Sequence, residues 1–318
     1  MSELKLITMD SIQVKEIDWL WYPYIPMGKI TIIEGDPGQG KTSLVLKIAA
    51  ILSNGGILMG DTEKRDAINI IYQTAEDGLS DTIKPRLIKE NADCNRIYII
   101  DESKTPLSMN DSRLEEAIIK TKAQLIILDP IQAYIGANVD MHRANEVRPI
   151  FKKLSEIAEK YNCAVILIGH MNKASMSKST YRGLETIDIQ AAARSVLIVG
   201  RMRENPETRI MVQDKNSLAK EGRAVAFNID EESGVDIIGE TDITVDELLQ
   251  GYSSNKINVK KFIEDELSLS NGEVNADVIL RNAKEQGISE RTLKNYKKQM
   301  NIKSYKRKNG WIWKKAEI

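Results

Sequence analysis

The 318-residue sequence predicts an α/β fold with a mostly parallel central sheet, followed by a small helical unit that ends in a hairpin. Three observations lead there. Apolar runs of strand length recur with helical patterns between them. Most of these runs are apolar at consecutive positions, the pattern of strands covered on both faces. The character of the chain then changes after residue 255, where a short polar linker gives way to a basic tail.

The elements follow in order. "KITIIEG" (29–35) is the first strand, and a helical stretch over 41–52 continues from the glycine-rich turn behind it. "INIIYQT" (68–74) precedes the helical "SDTIKPRLIKEN" (80–91), and "RIYIID" (96–101) is a third strand. "SRLEEAIIKTK" (112–122) and "ANEVRPIFKKLSEIAEKY" (144–161) are helices that precede the strands "QLIILD" (124–129) and "AVILIG" (164–169). "SVLIVG" (195–200) is the sixth. After it, "TRIMVQDK" and "RAVAFNID" read as antiparallel strands at one edge of the sheet. "GYSSN" (251–255) is the linker, which divides the chain into domains 1–250 and 256–318.

The tail holds an amphipathic "INVKKFIEDELS" and a second helix, "NADVILRNAKEQG", with Gly287 just past its end. A third, "SERTLKNYKKQM", opens with Ser289 as N-cap. "IKSYKRKNGWIWKK" reads as two short strands around Asn309-Gly310. Three helices and a hairpin predict a winged helix-turn-helix.

Composition excludes several classes. With 42% hydrophobic and 29% charged residues the chain is globular rather than disordered, and a net charge of −1 rules out a polycation. Charge is uneven, however: residues 256–318 hold fifteen Lys and Arg against eight Asp and Glu, a net of +7. A basic tail on an acidic body points to an anionic partner for the tail. Cys94 and Cys163 lack metal-ligand spacing and read as small buried apolar side chains. No long uncharged apolar run is present, so no membrane partner is expected, and "MSELKLITMD" has no signal-peptide core. An intracellular, cytoplasmic protein is expected.

The chemistry is concentrated in "EGDPGQGKTS", residues 34–43. Gly35-x-x-x-x-Gly40-Lys41-Thr42 is the phosphate-binding loop pattern, placed after a strand and before a helix. Glycines let backbone N–H groups approach phosphate oxygens, and the following helix adds the positive end of its dipole. Gly35, Asp36, Pro37, Gly38, Gln39, Gly40, Lys41, Thr42 and Ser43 form the candidate cradle for ATP. Lys41 supplies a compact cation for the β- and γ-phosphates, and Thr42 a hydroxyl for Mg²⁺. Asp129, at the end of "LIILD", is the second candidate metal ligand, delivered where open α/β sheets bind ligands.

Pro130 follows Asp129, so a water-activating base directly after that acid is ruled out. Glu76, in "IIYQTAEDG", is the candidate base; its bland alternative is that Glu76 and Asp77 favour the start of the next helix. Asp101 and Glu102 are the weaker competitors. His170, at the end of the fifth strand, is a candidate γ-phosphate sensor or a structural histidine.

Taken in order, "WLWYPYIPMGKITIIEGDPGQGKTS", "YQTAEDGLSDTIKPRL", "LIILDPIQAYIG", "ILIGHMNK" and "AAARSVLIVGR" resemble the RecA-like ATPases related to the RepA-type hexameric helicase of broad-host-range plasmids. That family is often encoded on phages and mobile elements. The resemblance covers about residues 10–230, and is more distant to the DnaB-type replicative helicases. It implies a RecA-like P-loop NTPase core in a ring, usually hexameric, with ATP at subunit interfaces. Lys41 and Thr42 would hold phosphates and Mg²⁺, Glu76 would be the base, Asp129 the metal ligand and His170 the sensor coupling hydrolysis to DNA. Arg201 would reach a neighbouring subunit as arginine finger, with Lys215 assisting. The chain departs from DnaB-type helicases at Lys215-Asn216-Ser217, where they carry Lys-x-Arg. Channel loops of such rings contact DNA, which assigns that role to "MNKASMSKSTYRG" (171–183) with Lys173, Lys178 and Arg182; a solvated surface loop is the alternative.

In the tail, the third helix would enter the major groove, with Arg291, Lys294 and Lys298 on one face and Lys306, Arg307 and Lys308 at the wing. Trp311 and Trp313 alternate with Ile312 and read as core rather than base-stacking residues. A basic protein-interaction module is the competing view of this unit. The sequence as a whole is read as an ATP-hydrolysing DNA motor, a RepA-like hexameric helicase with a replication initiator or primase as a further partner. A nucleotide-switched DNA-binding regulator, helicase loader or recombinase-like filament is the alternative.

Overall fold

The computed structural model describes residue 4 and residues 6–136, 139–141, 143–170, 187–202, 205–249, 259–270, 272–285, 290–307 and 310–315. The chain forms two compact units, Met1–Leu249 and Gln250–Ile318.

The first unit opens with a small ribbon, β1 (Trp19–Trp21) and β2 (Ile25–Pro26), then β3 (Ile30–Gly35) and α1 (Lys41–Ser53). β4 (Ile70–Thr74), α2 (Lys84–Lys89), β5 (Ile97–Tyr98), α3 (Ser112–Thr121) and β6 (Leu125–Asp129) follow. Next come α4 (Ile131–Tyr134), α5 (Ala144–Tyr161), β7 (Ala164–His170), α6 (Ile187–Ala192) and β8 (Ser195–Arg201). β9 (Thr208–Asn216), β10 (Ala224–Asp230), β11 (Gly234–Thr241) and α7 (Val245–Leu249) complete it.

Among the described residues the main sheet runs β11-β10-β9-β8-β3-β7-β6-β4-β5. The strands from β8 to β5 are parallel, and β9, β10 and β11 extend the sheet antiparallel on the β8 side. This is the expected α/β fold with a mostly parallel sheet. Its consecutive apolar positions have a direct cause. Ile30 and Ile32 of β3 pack with Leu114 and Ile118 of α3 and with Ile150, Phe151 and Leu154 of α5 on one face. Ile33 packs with Leu44, Val45, Ile48 and Leu52 of α1 on the other. Both faces are dry, so neither can carry the polar half of an alternating pattern.

Two expected elements are shorter than their sequence runs. Of "RIYIID", residues 97 and 98 alone pair with β4. Beyond them the buried Gln73 side chain takes the place of the ladder, accepting from Ile100 N at 2.6 Å and donating to Ile100 O at 3.2 Å. "SDTIKPRLIKEN" begins as a π-turn over Leu79–Ile83, and the α-helix starts at Lys84. Pro85 is then in the first turn, where the missing N–H has no helical partner to lose. β11 was not anticipated. It is an edge strand whose later residues alternate between half-buried and exposed.

The second unit holds α8 (Val259–Leu269), β12 (Glu273–Asn275), α9 (Ala276–Glu285), α10 (Glu290–Gln299), β13 (Ile302–Arg307) and β14 (Gly310–Lys315). Its strands form an antiparallel sheet in the order β12-β14-β13, so a third strand joins the expected pair. Phe262, Ile263, Ile279, Leu293, Ile302 and Trp313 lie in its core. The two tryptophans differ: Trp313 is 3% exposed and Trp311 52%. Trp313 is therefore the core residue of the expected pair, and Trp311 is not. The linker, Gly287, Ser289 and Asn309 lie outside the described residues.

Phe151 is fully buried where α5 meets the sheet. Phe151→Ala is expected to lower the stability of the first unit by about 3–5 kcal/mol. Urea unfolding should show this as a lower midpoint at unchanged slope.

Candidate functional site

The parallel register brings the strand ends to one edge. Gly35 of β3 lies beside His170 of β7, and Thr74 of β4 beside Asp129 of β6. The phosphate-loop pattern therefore meets the three polar residues that the sequence suggested.

Gly35 has no room for a side chain, because a Cβ there would come within 2.2 Å of the Val199 carbonyl oxygen on β8. Gly40 turns the chain into α1 with φ +94°, a left-handed conformation that favours glycine. Lys41 starts the helix. Its ammonium is buried and donates to the carbonyls of Gly35 at 2.8 Å and Asp36 at 3.0 Å, and lies 3.4 Å from His170 Nδ1. Burial lowers the lysine pKa, while the charges of Asp129, Asp36 and Glu76 oppose that shift.

Thr42 Oγ1 donates to Asp129 Oδ2 at 2.7 Å. Tyr72, fully buried on β4, donates its hydroxyl to the same oxygen at 3.2 Å. Burial raises the Asp129 pKa, the bonds from Thr42 and Tyr72 oppose this, and the charges of Glu76 and Asp77 add to it. A hydroxyl and one carboxylate on one edge fit Mg²⁺, which keeps most of its ligands as water and phosphate oxygens. Among the described residues no group of three or more His, Cys, Asp or Glu side chains could hold a metal alone.

Glu76 stands just past β4, with its side chain 63% exposed and Oε1 3.8 Å from His170 Nε2. Asp77 is engaged elsewhere, its carboxylate accepting from Arg86 at 3.1 Å. Of the competing acids, Asp101 accepts from the backbone and hydroxyl of Ser103. Glu102 accepts from Gln73 at 2.6 Å, Leu107 N at 2.8 Å and Tyr134 at 3.3 Å. Both hold the loop after β5.

Two cations expected to act at a neighbouring subunit's site make these contacts within their own chain. Arg201 Nη2 donates to the Gly38 carbonyl of its own chain at 2.8 Å. Lys215 caps α6, donating to Gln190 O at 2.8 Å and Ala193 O at 2.9 Å. Lys173, Lys178 and Arg182 fall in 171–186, outside the described residues, as does Lys308. Arg291 and Lys298 lie on α10, but their side chains are outside the description too. Lys294 pairs with Glu290 at 2.5 Å, Arg307 pairs with Glu273 at 2.9 Å, and Lys306 is exposed.

Four residues at this edge escaped the sequence reading. Tyr72 sits inside an apolar run, where a tyrosine reads as core. Arg209 gains its position only from the pairing of β9 with β8. Glu34 is fully buried one residue before Gly35 and accepts from Gln190 Nε2 of α6 at 2.8 Å. A charged residue in an otherwise apolar strand was the available signal for Glu34; nothing local marked Gln190.

Comparison with known proteins bears on the family and the fold. Residues 4–176, more than half of the chain, match the AAA domain family. DNA repair protein RadA of Streptococcus pyogenes serotype M3 is 21% identical over 234 residues, 73% of this chain and 46% of that protein. The chain thus spans about half the length of the curated relatives it matches. The ATPase domain of G40P superposes with TM-score 0.51 at 16% identity, over 67% of this chain and 85% of that one. A DnaB-like replicative helicase gives 0.50 at 16%, over 65% and 56%. The likeness to these two structures is one of fold: a RecA-like P-loop ATPase core.

Asp129 yields a pH test. Its folded pKa is raised, so the native state holds that proton more tightly than the unfolded chain does. Stability from this group therefore falls as pH rises from the ordinary carboxylate range through the raised value, and above it the buried charge is a cost. Asp129→Asn is expected to melt higher than wild type at neutral pH, with the gap closing in acid. A lower melting temperature at neutral pH would show that the bonds from Thr42 and Tyr72 outweigh the desolvation.

Proposed function

The chain belongs to the AAA domain family, and from that premise we propose that it is an ATP-hydrolysing, DNA-binding motor: a RepA-like hexameric DNA helicase serving replication of a plasmid, phage or mobile element. The observation that carries this reading is the convergence of Lys41, Thr42, Asp129, Glu76 and His170 on one sheet edge.

In this reading Lys41 leaves the carbonyls of Gly35 and Asp36 for the phosphates of ATP. Its ammonium is buried, and a charge held out of water acts more strongly on a phosphate than one in solvent. Thr42 and Asp129 would hold Mg²⁺, which neutralises phosphate charge when bound. Tyr72 fixes the Asp129 carboxylate from below. Glu76 has the exposure to meet a water molecule, and it orients that water for in-line attack on the γ-phosphorus and accepts its proton. His170, within reach of both Lys41 and Glu76, reports the γ-phosphate to residues 171–186, which begin directly after it. Those residues and the second unit are the proposed DNA contacts, the latter as a winged helix whose exposed cations include Lys294 and Lys306. A replication initiator or primase is a further proposed partner.

A second reading, a recombinase-like protein that acts on DNA without opening a fork, is favoured by one finding: the curated relatives are DNA repair proteins named RadA. A strand-displacement assay separates the two. The motor reading expects wild type to open a forked duplex with ATP; hydrolysis on DNA without displacement supports the second.

Lys41→Ala is expected to lose hydrolysis by roughly 100-fold or more. Glu76→Gln is expected to bind ATP normally in calorimetry and fail to turn it over; full turnover would remove Glu76 from the mechanism. Truncation after residue 255 should leave hydrolysis largely intact and weaken duplex binding, measured by fluorescence anisotropy.

A further inference from the structure

The three-stranded sheet of the second unit has one covered face and one open face. Side chains alternate along a strand, so each face takes every second residue. Ile302 of β13, Trp313 of β14 and Val274 of β12 lie in the core with Ile279 of α9 and Leu293 of α10. Lys303, Tyr305 and Arg307 of β13 belong to the other face, and all three are exposed. The register sets Lys314 opposite Lys303 and Ile312 opposite Tyr305, with Glu273 beside Lys314.

This open face has an aromatic centre and a cationic margin. Tyr305 is 44% exposed, and its cross-strand neighbour Ile312 is half-buried. With Lys303, Arg307, Lys314 and Glu273 they line a groove of about 450 Å³, which Lys306 and Lys315 also border. Five cations thus meet one carboxylate. Glu273 pairs with Arg307 at 2.9 Å and with Lys314 at 3.6 Å. Ion pairs at a surface are weak, so these yield readily to a polyanion. Lys303 and Lys314 are like charges directly opposite each other, which costs stability unless an anion lies between them.

We propose that this face binds single-stranded DNA, with a base stacked on Tyr305 and the flanking phosphates along the cations. Two features favour a single strand over a duplex. Bases stacked in a duplex offer no free ring face to a tyrosine. The major groove admits a helix or a two-stranded ribbon, whereas this face is three strands wide, about 10 Å between the outer strand axes before side chains are added. The site lies on the side of the sheet away from α9 and α10, and so is separate from any contact made by the α10 cations. That the strand is DNA rests on the reading of this chain as a DNA-binding protein.

The test uses the full-length protein, with fluorescence anisotropy on an oligothymidylate, a blunt DNA duplex and an oligouridylate. Tyr305→Ala is expected to bind the oligothymidylate about 5- to 100-fold more weakly and the duplex within about twofold of wild type. Tyr305→Phe, which keeps the ring, should retain most of the affinity. Lys303→Gln should flatten the dependence of log affinity on log salt by about 0.7. Glu273→Gln should bind the single strand more tightly. An iododeoxyuridine strand, photo-crosslinked to wild type, should leave its adduct on Tyr305; this readout decides the matter should Tyr305→Ala fail to fold. Unchanged single-strand affinity in Tyr305→Ala would overturn the proposal, as would an adduct on Trp311 or within 171–186 and none on Tyr305. Equal losses on duplex and single strand would overturn it too, and binding of the oligouridylate alone would assign the face to RNA instead. Wild type that holds the duplex but no single strand overturns this inference only; wild type with no affinity for any DNA removes the DNA-binding reading, and this inference with it.

Discussion

The contact between Gly35 and the Val199 carbonyl is one of backbone on backbone, and neither partner can yield without breaking the ladder it belongs to. It seats the end of β3 against β8. The parallel register then places His170 beside that end, while β6 and β4 carry Asp129 and Thr74 to the same edge. A further bond, from Ala75 N to Asp129 O at 3.0 Å, closes β4 onto β6 just before Glu76. Every polar group of the site inherits its position from strands whose own reason for order is apolar packing on two faces.

Within that frame the site is electrostatically primed. Lys41 and Asp129 are both taken from water, and burial works against the charged form of each. Neutral groups hold them: two carbonyls for the ammonium, and two hydroxyls for the carboxylate. Glu76, by contrast, keeps its exposure and lies 3.8 Å from His170, a distance too long for a hydrogen bond. The division suits phosphoryl chemistry, in which fixed charges orient the anion while one exposed carboxylate meets solvent.

Much of this was legible in the sequence, because the signals were local. The loop pattern, the apolar run ending in Asp129 and the strand ending in His170 each carry their meaning within a few residues. What was not legible depended on pairing between distant strands. Arg209 lies in one of the antiparallel strands, with nothing nearby to mark it until β9 is laid against β8. The third strand stops short because Gln73, a residue of its neighbour, substitutes an amide for the ladder. Glu102 resembled a catalytic acid by position, yet three donors from separate segments hold it as a loop anchor. In the second unit, Lys297 adds to the positive charge of α10 in the sequence, yet its ammonium lies over the Trp313 ring, 4.5 Å from its centre.

The bond between Gln190 and the buried Glu34 reaches beyond its own geometry. Glu34 pairs with Gly169 across β3 and β7, so one carboxylate-bearing residue roots both the strand that leads into residues 171–186 and the helix that follows them. The two described ends that flank this interval, β7 and α6, are thereby moored to the one strand that leads into the phosphate loop.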